Sequence, residues 1–387
     1  MKIAILSALT IPSGTTFKML LPYEPLAHKQ VHPHPWVANL AFGLAQLENN
    51  EVHVISLTSN VRNDVEFTYQ NVHYHLLKST EKTFRKLTLN YFDNLKVQKK
   101  LNRLKPDIVH GQGRQTDGLS AVKSRFPNII TSHGEIVNEL KSYKKNYKYI
   151  VKRYFEEKVN KNMKFAIGVS PTTVADLQRF LKKENTFLID NALAPEFFDS
   201  YQLKWESKVL YVGALSARKR VLELIQAIEK IDHLSLSIAT QTPENNLYFK
   251  EIRAYIENVG IKNRIHFLGQ LAPKEVANEM AKSLCVVLPS NFESFGMPMA
   301  EAQAIGKPVI GSMVGGIPYL VEEGKTGFLI EPGNTQQITE KLMYFLNHID
   351  EAKKMGTFAA EKAQKRWHPI SVAKTTFEVY QMVIKNS

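Results

Sequence analysis

The sequence alternates short apolar, β-branched segments with longer stretches of helical periodicity, and this alternation runs through the chain twice. The first series begins with IAIL at residues 3–6 and reaches FLIDNAL at 187–193. The second runs from KVLYVGAL at 208–215 to PVIGS at 308–312. Short runs of this kind are typical of strands buried on both faces of a parallel sheet. Since parallel strands need long crossover connections, usually helices, each series predicts a separate doubly wound α/β sheet.

The two series are separated by a polar stretch, DSYQLKWES at residues 199–207. A chain of 387 residues is also longer than a single compact core usually supports. We therefore predict an N-terminal Rossmann-like domain over residues 1–198 and a C-terminal one over 199–369. A last helical pattern, from about residue 370 to 387, follows the break at Pro369.

The composition is that of an ordinary globular chain, with 44% hydrophobic and 22% charged residues. No apolar run reaches the roughly 18 residues that a membrane-spanning helix needs. The opening MKIAILSALTIPSG is interpreted as a first strand rather than a signal peptide, because its apolar part is short and no cleavage pattern follows. The single cysteine, Cys285, lies in an apolar run and cannot form an internal disulfide, which favours a cytoplasmic location.

The formal net charge of +13 comes from two windows, residues 78–105 and 141–164. Each carries nine lysines or arginines and two acidic residues, enough to account for the whole excess. In the second window, apolar residues recur at helical spacing among the lysines. This pattern predicts either an amphipathic helix on an anionic membrane surface or a core-packed helix with a solvated lysine face. Neither window contains a nucleic-acid recognition motif, so nucleic acid is not an expected partner.

A strand, an acidic turn and a helix follow one another in CVVLPSNFESFGMPMAEAQAIG at residues 285–306. Pro298 suits a first helical turn and Gly306 suits a C-terminal cap. A helix N-terminus at a strand end favours an anion, because unpaired N–H groups and the positive end of the dipole meet there. Glu293 and Glu301 flank this N-terminus at a helical distance of roughly 12 Å. One acid could hold a ribose and the other a sugar, although an isolated pair is also compatible with a capping acid and a surface glutamate.

The same region extends to NFESFGMPMAEAQAIGKPVIGSMVGGIPYLVEEGKTGFLIEPGN. It resembles the signature of the family 4 retaining glycosyltransferases, which carry an E-x7-E motif. The chain has EAQA where the family usually has EAMA, and this change leaves both acids in place.

The resemblance implies an α/β protein of the GT-B fold, with two Rossmann-like domains facing across a cleft and a C-terminal helix crossing back to the first domain. It implies a retaining, metal-independent transferase that moves a hexose or N-acetylhexosamine from a nucleotide diphosphate sugar to a glycan or lipid-linked acceptor. A UDP-sugar is the favoured donor, and no cofactor or metal is expected. A role in polysaccharide or cell-envelope biosynthesis would follow, in the cytoplasm or on the inner membrane face.

A basic pair, Arg218 and Lys219, follows a strand in VGALSARKRVLELIQAI. Cations at a strand end can stabilise a diphosphate, although such a pair alone is more often a solvated turn. Family members carry a basic pair at this place, so Gly213, Arg218 and Lys219 carry over by resemblance. Arg220 stands where the family usually has glycine.

The resemblance also assigns His133, in TSHG, to the transferred sugar and Gly269, in FLGQL, to close backbone approach at the base. The residues alone are equally compatible with a structural histidine, and His110 is a second, weaker candidate. The first loop lacks the family's Gly-Gly pair, so Gly14 is the candidate for the diphosphate pocket and VHPHPW at 31–36 is assigned to the acceptor side. The predicted catalytic residues are His133, Arg218, Lys219 and Glu293. The predicted nucleotide-sugar-binding residues are Gly14, Gly213, Arg218, Lys219, Gly269, Glu293, Ser294, Phe295, Gly296, Met297 and Glu301.

Two other functions remain open at this point. A nucleotide-sugar epimerase of the same architecture would bind the same donor but would need no acceptor. A nucleic-acid-binding protein would rest on charge alone, so we rank it well below the two enzymes.

Overall fold

The computed structural model describes residues 1–8, 35–134 and 147–387. The chain forms two compact units. The first comprises Met1–Ala192 together with Pro369–Ser387, and the second comprises Leu193–His368.

The first unit is built on an eight-stranded sheet. Its strands are β1 (Lys2–Leu6), β2 (Glu51–Thr58), β3 (Val65–Tyr69), β4 (Val72–Lys78), β5 (Ile108–Gln112), β6 (Asn128–Ser132), β7 (Ala166–Gly168) and β8 (Thr186–Leu188). They lie in the order β3-β4-β2-β1-β5-β6-β7-β8. Only β3 runs antiparallel to its neighbour, β4. The sheet is therefore doubly wound, with a hairpin added at one edge.

Helices cover the first sheet. They are α1 (Pro35–Ala45), α2 (Lys82–Leu87), α3 (Tyr91–Leu104), α4 (Thr116–Val122), α5 (Tyr147–Asn162) and α6 (Pro171–Leu177). Alternate residues of β1 show why both faces need cover. Ile3 and Ile5 join one apolar cluster, whereas Ala4 and Leu6 join a second cluster. Side chains alternate across a strand, so an apolar run supplies both layers of the core.

The second unit is built on a six-stranded, fully parallel sheet. Its strands are β9 (Lys208–Val212), β10 (Ser235–Ala239), β11 (Ile265–Gly269), β12 (Cys285–Leu288), β13 (Val309–Ser312) and β14 (Gly327–Ile330). The order is β11-β10-β9-β12-β13-β14. The direction of the order reverses between β9 and β12, and at such a switch point an open α/β sheet leaves a crevice for ligands at its carboxyl edge.

Helices connect these strands, and two further helices follow β14. They are α7 (Val221–Glu229), α8 (Leu247–Asn258), α9 (Pro273–Lys282), α10 (Met297–Ile305), α11 (Ile317–Leu320), α12 (Thr335–Asn347) and α13 (Ile349–Arg366). The unit begins at Leu193, a few residues before the predicted boundary at 198/199. The reason is that a short 3-10 turn, Pro195–Phe198, packs against α9 and α10.

The last helix, α14 (Pro369–Lys385), returns to the first unit and packs along α1. Val372, Tyr380 and Val383 are buried in the apolar cluster that contains Ile3 and Ile5. Gly43 on α1 allows the close approach, because an added Cβ would overlap the carbonyl oxygen of Pro369. The predicted return of the C-terminal helix is thus confirmed.

Two expectations from composition can be set against the described residues. Cys285 is fully buried, and burial raises the pKa of its thiol far above the usual range. Such a thiol is inert rather than nucleophilic. Among the helices described, none is both long and apolar enough to cross a bilayer.

Candidate active site

The predicted acidic turn lies between β12 and α10. Gly296 is the N-cap residue of α10 and has φ +102°, a left-handed conformation that glycine adopts without steric cost. Pro298 lies in the first helical turn and Gly306 ends the helix, as the sequence predicts. The strand therefore delivers its carboxyl end to a helix N-terminus, where unpaired backbone N–H groups favour a bound anion.

Glu293 lies on this turn and is buried. Its Oε1 accepts hydrogen bonds from the ammonium of Lys219 and, at 2.9 Å, from the Ser290 hydroxyl. Lys219 is 74 residues away in sequence, so only the packing of the two loops brings this cation and carboxylate together. The predicted sugar-binding acid and phosphate-binding base thus form one ion pair. Removing either partner would leave a desolvated charge behind.

Arg218 fastens its loop to the acidic turn through two hydrogen bonds. Its guanidinium Nη1 donates to the carbonyl oxygen of Phe292 at 2.6 Å. Its own carbonyl oxygen accepts from the N–H of Asn291 at 2.8 Å. Arg218 and Lys219 are therefore held against the turn from which α10 begins.

Arg220 has φ +50° and ψ +40° and is the N-cap residue of α7. This is the left-handed conformation that the family's glycine would adopt freely, so the substitution leaves the local backbone conformation accessible at some steric cost. Its guanidinium donates to Asn291 and, at 2.7 Å, to Glu223. These bonds offset part of that cost.

Two glycines that the sequence analysis did not single out, Gly315 and Gly316, support the acidic turn. They follow β13, and the N–H of Gly316 donates to the carbonyl oxygen of Glu293 at 2.8 Å. An added Cβ at Gly315 would overlap that oxygen, and one at Gly316 would overlap the carbonyl oxygen of Ser294. The signal was present as the GG pair in SMVGGIP, but the sequence does not say which backbone approaches it.

Glu301 lies on α10 and is partly buried. Burial raises the pKa of its carboxyl group to about 7, and no charge or hydrogen bond from the described residues offsets this effect. A carboxylate in this state is stabilised by hydroxyl donors, such as those of a ribose.

The remaining predicted residues of the second unit contribute mainly backbone. Gly213 follows β9 with φ +151°, and Gly269 ends β11 with φ +70°. A Cβ at Gly269 would meet no atom within 4 Å. The Phe295 side chain packs in the core. Ser294, Phe295 and Met297 lie where α10 begins, a position at which backbone N–H groups favour an anion.

His133 belongs to the first unit and follows β6. Its Nε2 donates to Oε1 of Gln112 at 2.7 Å, and its ring packs 5.2 Å from that of Trp36. His110 is fully buried, with ring nitrogens 2.6 Å from the hydroxyls of Tyr380 and Thr131. Burial lowers the pKa of His110 to about 3. His110 is therefore a neutral structural residue, whereas His133 remains the candidate for a ligand.

Two further predictions concern the first loop and a metal ion. Gly14 and residues 31–34 of VHPHPW lie outside the described residues. Within residues 1–8, 35–134 and 147–387, no group of His, Cys, Asp and Glu has a geometry that would hold a metal ion.

The comparisons with known families cover most of the chain. Residues 195–362 match the model for Glycosyl transferases group 1, and residues 36–197 match Glycosyltransferase Family 4. An uncharacterised glycosyltransferase of Methanocaldococcus jannaschii is 31% identical over 329 residues, which span 83% of this chain and 87% of that protein. The chain therefore belongs to the group 1, family 4 glycosyltransferases.

Solved structures show the same fold at low identity. Sucrose-phosphate synthase from Thermosynechococcus elongatus is 19% identical, with a TM-score of 0.79 over 100% of both chains. The Anabaena protein HepE, solved with UDP-glucose, is 17% identical, with a TM-score of 0.74 over 98% of this chain and 99% of its own. The GT-B fold predicted from the sequence is thereby confirmed.

Proposed function

We propose that the protein is a retaining, metal-independent glycosyltransferase that transfers a hexose or N-acetylhexosamine from a nucleotide diphosphate sugar to a glycan or lipid-linked acceptor. The observation that carries this proposal is the pairing of Lys219 with Glu293 beside the N-terminus of α10. A cation, a buried carboxylate and a helix N-terminus at one strand end suit a phosphate and a sugar bound side by side.

Each residue of this constellation has a role in the proposal. Lys219 and Arg218 stabilise the negative charge that develops on the departing diphosphate. Glu293 positions the sugar and stabilises its developing positive charge. The N–H groups of residues 294–297 add the positive end of α10, and Glu301 binds the ribose.

The transfer balances without a protein nucleophile. The bond from C1 of the sugar to the diphosphate oxygen breaks, and a bond from C1 to the acceptor hydroxyl oxygen forms on the same face. The hydroxyl proton passes to the departing oxygen, and the products are the glycosylated acceptor and a nucleoside diphosphate. His133 is assigned to a hydroxyl of the transferred sugar.

We propose a UDP-sugar as the donor. The support is the likeness to HepE, which was solved with UDP-glucose. The open space beside Gly269 at the end of β11 would leave room for a base.

The test is thermal unfolding with a panel of UDP-, GDP- and ADP-sugars, because a ligand that binds only the folded state raises its stability. We expect one nucleotide class to stabilise the wild type and to lose most of this effect in Glu301→Ala. Glu340→Ala, at an exposed position on α12, is the matched control. No response to any sugar nucleotide would overturn the proposed function.

Incubation with the stabilising donor alone separates the transferase from the epimerase. A transferase leaves the sugar configuration unchanged and at most hydrolyses the donor slowly. Conversion of the donor to an epimer without acceptor would replace our proposal with the alternative.

We further propose that the first unit contacts an anionic membrane, which would place the protein in the cytoplasm at the inner membrane face. Exposed apolar side chains lie within both basic windows, for example Phe92 and Ile150. Apolar and cationic groups together favour an anionic bilayer surface. We expect co-sedimentation with vesicles of phosphatidylcholine and phosphatidylglycerol, weakened by salt, and none with phosphatidylcholine alone. Equal partition to both would contradict the membrane proposal without affecting the transferase.

A further inference from the structure

The first unit holds a cavity of about 530 Å³, which is large enough for a small-molecule ligand. It opens at the carboxyl edge of the sheet, where Ala8 and Leu57 line it, and beside the start of α4. Its walls come from the α2–α3 segment and from α5. The cavity is not lined by His133 or by any described residue of the predicted donor site. It is therefore distinct from that site.

The floor of the cavity carries hydrogen-bond acceptors. Asp117 is partly buried, and burial raises the pKa of its carboxyl group to about 7 although the N–H of Ala8 donates to it. Asp93 is 1% exposed, and its Oδ1 accepts from the N–H of Thr80 at 2.8 Å. Its Oδ2 is buried without a hydrogen-bond partner among the described residues. Buried acceptors of this kind are satisfied by hydroxyl donors.

The mouth of the cavity, defined as the part lined by solvent-exposed polar residues, carries cationic side chains. Lys123 and Lys152 line the cavity and are exposed, and Arg85 lines it in a half-exposed position. Long basic side chains near solvent suit an anionic group, such as a phosphate, just outside the floor.

The rim is apolar. Leu89, Tyr91 and Tyr154 line the cavity and are 40%, 56% and 40% exposed. Leu89 has φ +46°, an unusual conformation for a bulky residue. Eight of the sixteen large hydrophobic side chains that are exposed in the described chain belong to the α2–α3 segment and to α5, from which the walls of the cavity come: Phe84, Leu87, Leu89, Tyr91, Phe92, Leu95, Ile150 and Tyr154. A concentration of this kind marks an interaction site rather than scattered surface residues.

We propose that this cavity binds the acceptor as a phosphate-containing amphiphile. A hydroxylated head group would lie on the carboxylates of the floor, a phosphate at the cations of the mouth, and an apolar chain along the rim. The assignment rests on the proposed transferase function and narrows its acceptor to a lipid-linked one.

Calorimetric titration of the full chain with three probes tests the assignment. Lysophosphatidylglycerol, kept below the concentration at which it forms micelles, carries all three features. Lysophosphatidylcholine lacks the hydroxylated head, and glycerol phosphate lacks the chain. We expect at least tenfold tighter binding of lysophosphatidylglycerol than of either comparison. Equal affinity for lysophosphatidylcholine would show that the site is a non-specific apolar surface. Equal affinity for glycerol phosphate would show that the lipid chain does not contribute to binding. Either result overturns the proposal.

Exposed-residue variants localise the binding without disturbing the core. Tyr154→Ser and Lys152→Gln should each weaken lysophosphatidylglycerol binding at least fivefold. The matched controls Leu188→Ser and Lys183→Gln, also exposed in the first unit, should leave it unchanged. Unchanged affinity in both cavity variants would place the lipid elsewhere and overturn the assignment.

Measuring donor binding distinguishes a failure of the cavity assignment from a failure of the proposed function. The cavity variants should retain full thermal stabilisation by the sugar nucleotide that stabilises the wild type. Donor stabilisation without amphiphile binding would overturn the cavity assignment and leave the transferase standing. Amphiphile binding without any donor response would overturn the proposed function and, with it, the acceptor role of the cavity.

Discussion

At the scale of the residue, the candidate site depends on side chains that neutralise one another in the free protein. The side chains of Lys219 and Glu293 are only 14% and 12% exposed, so each is the other's main source of charge compensation. A ligand diphosphate would compete for Lys219 and release Glu293 towards the sugar. The pair thus links stability to ligand binding.

Replacing Lys219 by methionine should therefore impair both properties. We expect a loss of roughly 3 kcal/mol in the free energy of unfolding, since Glu293 is left buried and unpaired. We also expect a fall in kcat of about 10² or more, since a charge-stabilising group is lost. Urea unfolding and steady-state kinetics measure the two effects. Lys325→Met, which removes a surface ion pair with Glu322, should change stability by under about 0.5 kcal/mol. Equal losses of stability from the two substitutions would show that the ion pair of Lys219 and Glu293 contributes no more than a surface ion pair.

The raised pKa of Glu301 predicts how stability and donor affinity depend on pH. The pKa is about 7 in the folded protein, above the value near 4.3 of an unfolded chain. The folded state therefore binds more protons between these values, and this contribution to stability is complete below about pH 4 and lost as pH rises through 7. A ribose hydroxyl favours the ionised form, so donor affinity should fall as pH drops from 8 to 6. Calorimetry with Glu301→Gln, which should abolish both dependences, checks the assignment, and Glu340→Gln is the control.

At the scale of the element, the start of α10 is positioned by the loop that follows β13. The N–H of Gly316 donates to Glu293, and both glycines approach the backbone of the acidic turn too closely for a side chain. Strand, turn and helix are thus specified locally, but the position of the carboxylate depends on a neighbouring βα loop. This is common where catalytic groups come from loops on a rigid sheet.

Gly316→Ala should displace the acidic turn. Gly316 has φ −85°, which any residue adopts, so the penalty comes from steric overlap alone. We expect a fall in kcat of about 10–100-fold, since a displacement of 1 Å at a reacting group can cost that much. Gly324→Ala is the control, because its φ of +70° imposes conformational strain without steric overlap. The control should lose about 1 kcal/mol of stability with an unchanged kcat. Normal kinetics in Gly316→Ala would refute the supporting role of this loop.

At the scale of the whole molecule, the chain ends on the unit in which it began. The last helix, α14, packs along α1 in the core of the first unit. The hydroxyl of Tyr380 is hydrogen-bonded to Nδ1 of His110. A fragment ending at residue 368 would expose this apolar surface, so the first unit cannot be treated as residues 1–192 alone.

Gly43→Ala tests this packing through the sign of its effect. In an ordinary helix interior the substitution stabilises by roughly 0.5–1 kcal/mol. Here the added Cβ would overlap the carbonyl oxygen of Pro369, so we expect a net destabilisation of roughly 1–3 kcal/mol. Thermal unfolding, read together with amide exchange in α1, measures it. An increase in stability would mean that α14 shifts to accommodate the added methyl group without losing its packing against α1.

The sequence alone determined the features that depend on near neighbours along the chain. Most parallel strands of both sheets, and the turn and caps of α10, follow from periodicity and turn chemistry. The family was indicated by the resemblance of residues 291–334 to its signature. The strands β3, β4 and β14 were not predicted. β3 and β14 are short strands at sheet edges, and histidines interrupt the apolar residues of β4, VHYHLLK.

Only the tertiary structure decided which distant residues meet. It paired Lys219 with Glu293, placed Gly315 and Gly316 against the acidic turn, and brought both His110 and His133 to the side chain of Gln112. Sequence spacing does not report such contacts, because they depend on how loops from different strands pack at one edge of a sheet. The same is true of the cavity in the first unit, whose floor, mouth and rim come from segments that are distant in the chain.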